Sequence, residues 1–134
     1  MRILVVDDDP GLRQSLGLLL SEAGHEVTAE GEARRALARA PEVDPDVILS
    51  DVRMPGMDGL ETATYIRMRQ KAAHTPIIFL TAYVEEMNTS KGYSLGAVDY
   101  LTKPVVPAIL RAKVQGFVDL YREKLRAQRE ADQL

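Results

Sequence analysis

The chain has 134 residues, 46% hydrophobic and 28% charged, which is the balance of one globular domain and too little for two. A formal net charge of -3 argues against broad electrostatic attraction to nucleic acid, so no direct nucleic-acid contact is expected. Cysteine is absent, which excludes disulfides, thiol catalysis and cysteine-based metal sites.

The opening run Ile3–Val6 is apolar and turns acidic at Asp7, which makes it a buried strand and too short for a signal peptide or a membrane span. A cytoplasmic protein without membrane insertion is the expectation. Asp9 before Pro10 has the form of a helix N-cap followed by proline at the first helical position. Leu12, Leu16, Leu19 and Leu20 then recur at helical spacing until Gly24. Glu26 to Ala29 is a weaker strand pattern, and Ala33, Ala36, Leu37 and Ala40 predict a second helix stopped by Pro41.

Val47 to Leu49 predicts the next buried strand, followed by a turn from Met54 to Met57 and a helix start at Asp58 with Glu61 three residues on. Leu60, Ala63, Ile66 and Arg67 carry that third helix toward Pro76, and Ile77 to Leu80 predicts a fourth strand. The segment Val84 to Leu95 is a poor helix, since Asn88, Thr89, Ser90 and Gly92 all form helix less readily than alanine. Marginal stability there suits an element that moves. Ala97 to Leu101 is the last strand pattern, and from Pro107 onward only Gly116 weakens a helix on the order of 40 Å long. Within it Val114, Val118, Tyr121, Leu125 and Gln128 follow a four-three spacing, which leaves a coiled-coil seam and a solvated helix both open.

Strands alternating with helices in this way predict a mostly parallel, doubly wound α/β sheet whose strands all point their carboxyl ends to one edge. Chemistry gathers at that edge. The first strand runs into Asp7, Asp8 and Asp9, the third into Ser50 and Asp51, the fourth into Thr81, and the fifth into Thr102, Lys103 and Pro104. The second strand supplies nothing comparable. Carboxylates crowded into one pocket repel unless a cation intervenes, and oxygen ligands suit a hard divalent ion. Magnesium, with manganese as a substitute, is therefore expected. A carboxylate can also act as covalent nucleophile, with Lys103 neutralising phosphoryl charge and Thr81 adding a hydrogen bond. The set is chemically complete for phosphoryl transfer to an aspartate. His25 and His74 lie apart from it.

The segments Ile3–Pro10, Leu49–Gly59, Phe79–Ala82 and Ala97–Pro104 resemble, in order and spacing, the signatures of response regulator receiver domains. The resemblance covers roughly residues 2 to 120. It implies a flavodoxin-like fold of five parallel strands in the order 2-1-3-4-5 with five helices, the last extended. It implies that Asp51 is the phospho-acceptor and that Asp7, Asp8, Asp51 and the backbone carbonyl of Arg53 hold magnesium, Asp8 directly and Asp7 through water. Thr81 would move toward the phosphoryl group, Lys103 would pair with it, and Tyr100 would turn inward as the switch aromatic. The bond between Lys103 and Pro104 would be cis. Arg53 and Tyr83 stand at positions that set phosphate lifetime in such domains, and the bulk of Tyr83 is expected to hinder the attacking water.

The resemblance also implies a sensor histidine kinase or phosphotransfer protein as donor and a responsive surface built from the fourth helix, fifth strand and fifth helix. Residues 1–120 then form the receiver, and 121–134 a helical extension that serves a homodimer or leads to an output domain or downstream protein. The domain would catalyse only its own phosphotransfer and autodephosphorylation. Two other classes compete. A haloacid-dehalogenase-like phosphohydrolase would use the pattern Asp7-x-Asp9, but it needs a late acidic pair, and only Asp119, Glu123, Glu130 and Asp132 remain, all in the terminal helix pattern. An unphosphorylated interaction module would have no need of the acidic set or of Lys103.

Overall fold

The structure is a computed structural model and describes residues 1–52, 75–82 and 97–133. The third and fourth helix patterns lie outside these residues. So do Arg53, Tyr83, the Met54–Met57 turn, the Asp58 cap and His74. The described chain divides into two compact units, Met1–Pro104 and Val105–Leu134.

The first unit carries strands β1 (Arg2–Val6), β2 (Glu26–Glu30), β3 (Val47–Asp51), β4 (Ile77–Thr81) and β5 (Ala97–Thr102), with helices α1 (Pro10–Glu22) and α2 (Ala33–Val43). The five strands form one parallel sheet in the order β2-β1-β3-β4-β5. That is the flavodoxin-like order, in which sheet polarity brings the ends of β1, β3, β4 and β5 to a common edge. The β4–β5 register slips between Ile77 and Ile78, leaving one extra residue on β5.

The apolar runs are continuous because both faces of the central strands are covered. On one face Leu4, Val6, Ile48, Ile77 and Phe79 cluster with Ala33, Ala36 and Ala40 of α2, and the half-buried Tyr100 packs against them. The alternate residues Ile3, Val5, Val47, Leu49, Ile78 and Leu80 are buried as well, as are Leu16 and Leu20 of α1.

Each helix end has a local cause. Asp9 caps α1, its Oδ1 accepting from the backbone N–H of Gly11 at 2.9 Å and of Leu12 at 3.3 Å, with Pro10 at the first helical position. At the other end Gly24, at φ +93°, donates to Ser21, and His25 donates to Leu20. These two bonds are a Schellman motif, and the left-handed backbone is what selects glycine there. Helix α2 does not stop at Pro41 but runs on to Val43. Proline removes one donor, yet the turn is rejoined when the N–H of Asp44, itself left-handed at φ 48°, reaches the Ala40 carbonyl at 2.9 Å.

The second unit is a single helix, α3 (Pro107–Asp132), 26 residues long and so about 39 Å at the standard rise. Gly116 is accommodated inside it. Val114 and Val118 are buried, while Leu120, Tyr121 and Leu125 are exposed. The four-three spacing is therefore split, buried at Val114 and Val118 and exposed at Tyr121, Leu125 and Gln128.

Candidate functional site

The site is assembled where strands stop. Asp51 and Thr81 are the last residues of β3 and β4, still inside the ladder: Asp51 pairs with Leu80, and the Val52 N–H donates to the Leu80 carbonyl at 3.1 Å. Lys103 follows β5 and is tied back to β4 by its own N–H, which donates to the Thr81 carbonyl at 2.8 Å. The Lys103–Pro104 bond is cis. Asp7 follows β1, with its N–H on the Glu30 carbonyl at 3.1 Å and its Oδ1 accepting from the Asp9 N–H at 2.9 Å.

Asp7, Asp51 and Thr81 are almost wholly buried, whereas Asp8 is exposed. Lys103 Nζ bridges the two buried acids, 3.0 Å from Asp51 Oδ2 and 3.1 Å from Asp7 Oδ2. The contact to Asp7 is an ion pair without hydrogen-bond alignment, and Asp7 Oδ2 is left buried with no hydrogen-bonded partner among the described residues. Burial alone would push the Lys103 ammonium down, but the hydrogen bond to Asp51, the approach to Asp7 and both negative charges outweigh it and hold it above 10.5.

One carboxylate oxygen each from Asp7, Asp8 and Asp51 can be brought within 4.8 Å of the others. Among the described residues, three acids against one ammonium leave a negative excess at this edge, which a bound cation would offset. The donor set is all oxygen and partly open to water through Asp8, which fits a magnesium ion that keeps several waters.

Of the residues singled out from the sequence, Asp7, Asp8, Asp51 and Lys103 are brought together, and Thr81 stands at the same sheet edge. Tyr100 pairs in register with Phe79, half-buried on the face that packs on α2. Asp9 is committed to the α1 cap. His25 lies at the opposite end of the strands, its Nδ1 3.2 Å from the Met1 amine. Two residues went unnoticed in the sequence. Arg13 donates from Nη1 to the Asp7 carbonyl at 2.8 Å, and Gly31 makes room for its guanidinium. Strand β2 supplies no side chain comparable to those of the other strands, but its Glu30 carbonyl holds the Asp7 N–H, and Gly31 just beyond it admits Arg13. An arginine four residues beyond a cap looks like a solvated helix position, so no pattern marked it.

Comparison with known proteins agrees with this architecture. The response regulator receiver domain family matches residues 3–115, and the chain belongs to that family. TrcR, a transcriptional regulatory protein of Mycobacterium tuberculosis, is 35% identical over 133 residues, 99% of this chain and 50% of that protein. The chemotaxis protein CheY4 of Vibrio cholerae superposes with a TM-score of 0.82 at 37% identity, covering 87% of this chain and 97% of that one. The receiver domain of the sensor histidine kinase PA1611 from Pseudomonas aeruginosa, which has a magnesium ion coordinated in its active-site cleft, superposes with a TM-score of 0.79 at 30% identity. That match covers 88% of this chain and 97% of the other.

The chain is thus a receiver domain of two-component response regulators, a regulatory domain rather than a conventional enzyme. It spans about half the length of most of the curated regulators it matches. No helix among the described residues is long and apolar enough to cross a membrane.

Proposed function

We propose that Asp51 accepts a phosphoryl group from a phosphohistidine on a sensor kinase or phosphotransfer protein, with Mg2+ held by Asp7, Asp8 and Asp51. The backbone carbonyl of Arg53 is assigned as a further ligand. The observation that carries the proposal is the convergence of three carboxylates, with oxygens within 4.8 Å of one another, on a lysine 3.0 Å from the Asp51 oxygen. When bound, the magnesium ion neutralises charge on the transferring group. A carboxylate oxygen of Asp51 forms the new bond to phosphorus as the bond to the imidazole nitrogen breaks. Lys103, already positioned between Asp51 and Asp7, then offers the incoming phosphoryl oxygens a charge-assisted hydrogen bond.

Thr81 would follow the phosphoryl group and Tyr100 would turn into the space it leaves, changing the surface of the fourth helix, β5 and the last helix. Arg53 and Tyr83 are assigned to phosphate lifetime, and return to the resting state would be by autodephosphorylation. Residues 121–134 serve as a helical extension of the receiver 1–120. Their open apolar residues, Tyr121 and Leu125, suit a homodimer or a junction to an output domain. The setting is the cytoplasm, and manganese should substitute for magnesium.

The phosphohydrolase reading is disfavoured, because the second acid it requires, Asp9, is already bonded to the amides of Gly11 and Leu12. Incubation with acetyl phosphate and magnesium, read by intact mass, tests the proposal. One phosphoryl group on the wild type is expected, and none on Asp51→Asn or in the absence of a divalent cation. Steady release of phosphate from ordinary phosphomonoesters would overturn it.

A further inference from the structure

Arg13 leaves the first turns of α1 and folds back toward β1, where its Nη1 donates to the Asp7 backbone carbonyl at 2.8 Å. That carbonyl belongs to the planar peptide joining Asp7 to Asp8, so a bond at its oxygen restrains the plane that ends on the Asp8 Cα, from which the carboxylate is carried. The rest of Asp7 is pinned as well, by the Glu30 carbonyl behind it and the Asp9 N–H on its Oδ1. A Cβ at residue 31 would lie 2.4 Å from Arg13 Nη1 and 2.9 Å from its Cζ. The φ of Gly31 is outside the left-handed region, so the backbone there accepts any residue and the missing side chain serves only to admit the guanidinium.

We propose that Arg13, seated on Gly31, is a positioning residue for the divalent-cation site, holding the Asp7–Asp8 peptide so that both carboxylates and Asp51 can face one ion. The inference rests on the metal reading of the acidic cluster. It extends the site to two residues that touch neither cation nor phosphoryl group. Its sign separates it from simple electrostatics. Removing a nearby positive charge strengthens cation binding, whereas loosening the peptide that aims two ligands weakens it. Gly31→Ala is a mild probe, since the atoms it meets are the far end of a flexible side chain.

The experiment is a MgCl2 titration of the whole chain followed by the amide resonances of Asp7, Asp8 and Asp51, with thermal melting of each variant alongside. Arg13→Ala is expected to weaken Mg2+ binding about tenfold, the lower end of what supporting residues around metals contribute. Arg13→Lys should recover part of that loss, because an ammonium can still donate to the Asp7 carbonyl. Gly31→Ala should weaken binding too, and Arg13→Ala/Gly31→Ala should be no weaker than Arg13→Ala alone, since both act through one guanidinium. Unchanged or tighter Mg2+ binding in Arg13→Ala overturns the proposal, as do additive effects of the two substitutions. A lowered melting temperature with unaltered Mg2+ affinity also overturns it, because Arg13 would then be merely structural. Absence of any saturable shift in the wild type would instead bring down the metal reading itself, and the inference with it.

Discussion

Replacing Asp8 with asparagine should make the protein more stable without magnesium and less stable with it. In the resting site three carboxylates have oxygens within 4.8 Å of one another, and one ammonium, that of Lys103, serves the two buried ones. A pair of unit charges 4.8 Å apart repels by about 0.9 kcal/mol in water and about 3.5 kcal/mol at an effective dielectric of 20. Asp8 is exposed, so the watery end of that range applies, with two neighbouring acids to count and Lys103 offsetting part of the sum. Asp8→Asn is expected to gain about 1–2 kcal/mol, or about 3–8 °C in melting temperature for a domain of this size.

Magnesium reverses the order. A ligand that binds only the folded state stabilises it by RT ln(1 + [L]/Kd), about 2.7 kcal/mol at a concentration 100 times Kd. The wild type should climb with MgCl2 while Asp8→Asn barely responds, so the two melting curves cross. Urea unfolding across a magnesium series is the assay. A variant less stable than wild type in EDTA would refute the charge argument, and an equal gain from magnesium in both proteins would refute the role of Asp8 as a ligand.

Lys103→Met should slow phosphorylation of Asp51 on the order of 100-fold, the scale of losing one donor aimed at developing charge, while leaving Mg2+ binding intact or tighter. Gel-shift or mass time courses with acetyl phosphate check it, and an unchanged rate counts against any role in transfer. Phe79 is completely buried between β3 and β5 in the central ladder, so Phe79→Ala should cost about 3–5 kcal/mol, much of a small domain's total, in urea unfolding. His25 is held below 6.5 first by burial and then by the Met1 amine. Its folded form therefore resists the proton that the unfolded chain takes up near pH 6.5, so stability falls as pH drops through that value. The loss of melting temperature between pH 7.5 and 5.5 should be smaller in His25→Gln, and an identical loss would dismiss the histidine as a contributor.

The parallel strands and the polar residues at their carboxyl ends were legible because each rests on a local signal, whereas the strand order came only from the family resemblance. A buried parallel strand must be apolar throughout, and a polar residue at its carboxyl end therefore stands out, as Asp51 and Thr81 do. The apolar runs nevertheless understated strand length. Hydrophobicity reports burial, whereas the ladder continues through Asp51, Thr81 and Thr102, which are polar but still paired. Pro41 misled in the same manner: one lost donor is a penalty, and the bond from Asp44 to Ala40 carries the turn past it. The spacing on the last helix left a seam and a solvated helix both open, and Val114 and Val118 are buried while Tyr121 and Leu125 are exposed, because a four-three spacing does not distinguish a core stripe from a partner stripe. Arg13 and Gly31 were invisible for a different reason. Arg13 bonds a backbone carbonyl, that of Asp7, and its guanidinium is admitted by a glycine 18 positions on, and neither a backbone partner nor room for a side chain leaves a trace in residue type.

The central claim is that the phosphoryl group resides on Asp51 and on no other carboxylate of the cluster. The direct measurement is to phosphorylate the wild-type chain with acetyl phosphate and magnesium, reduce the acyl phosphate with borohydride, and map the altered residue by peptide mass spectrometry. Conversion confined to position 51 is the predicted result. Conversion at Asp7 or Asp8, or at Asp9, would contradict the account.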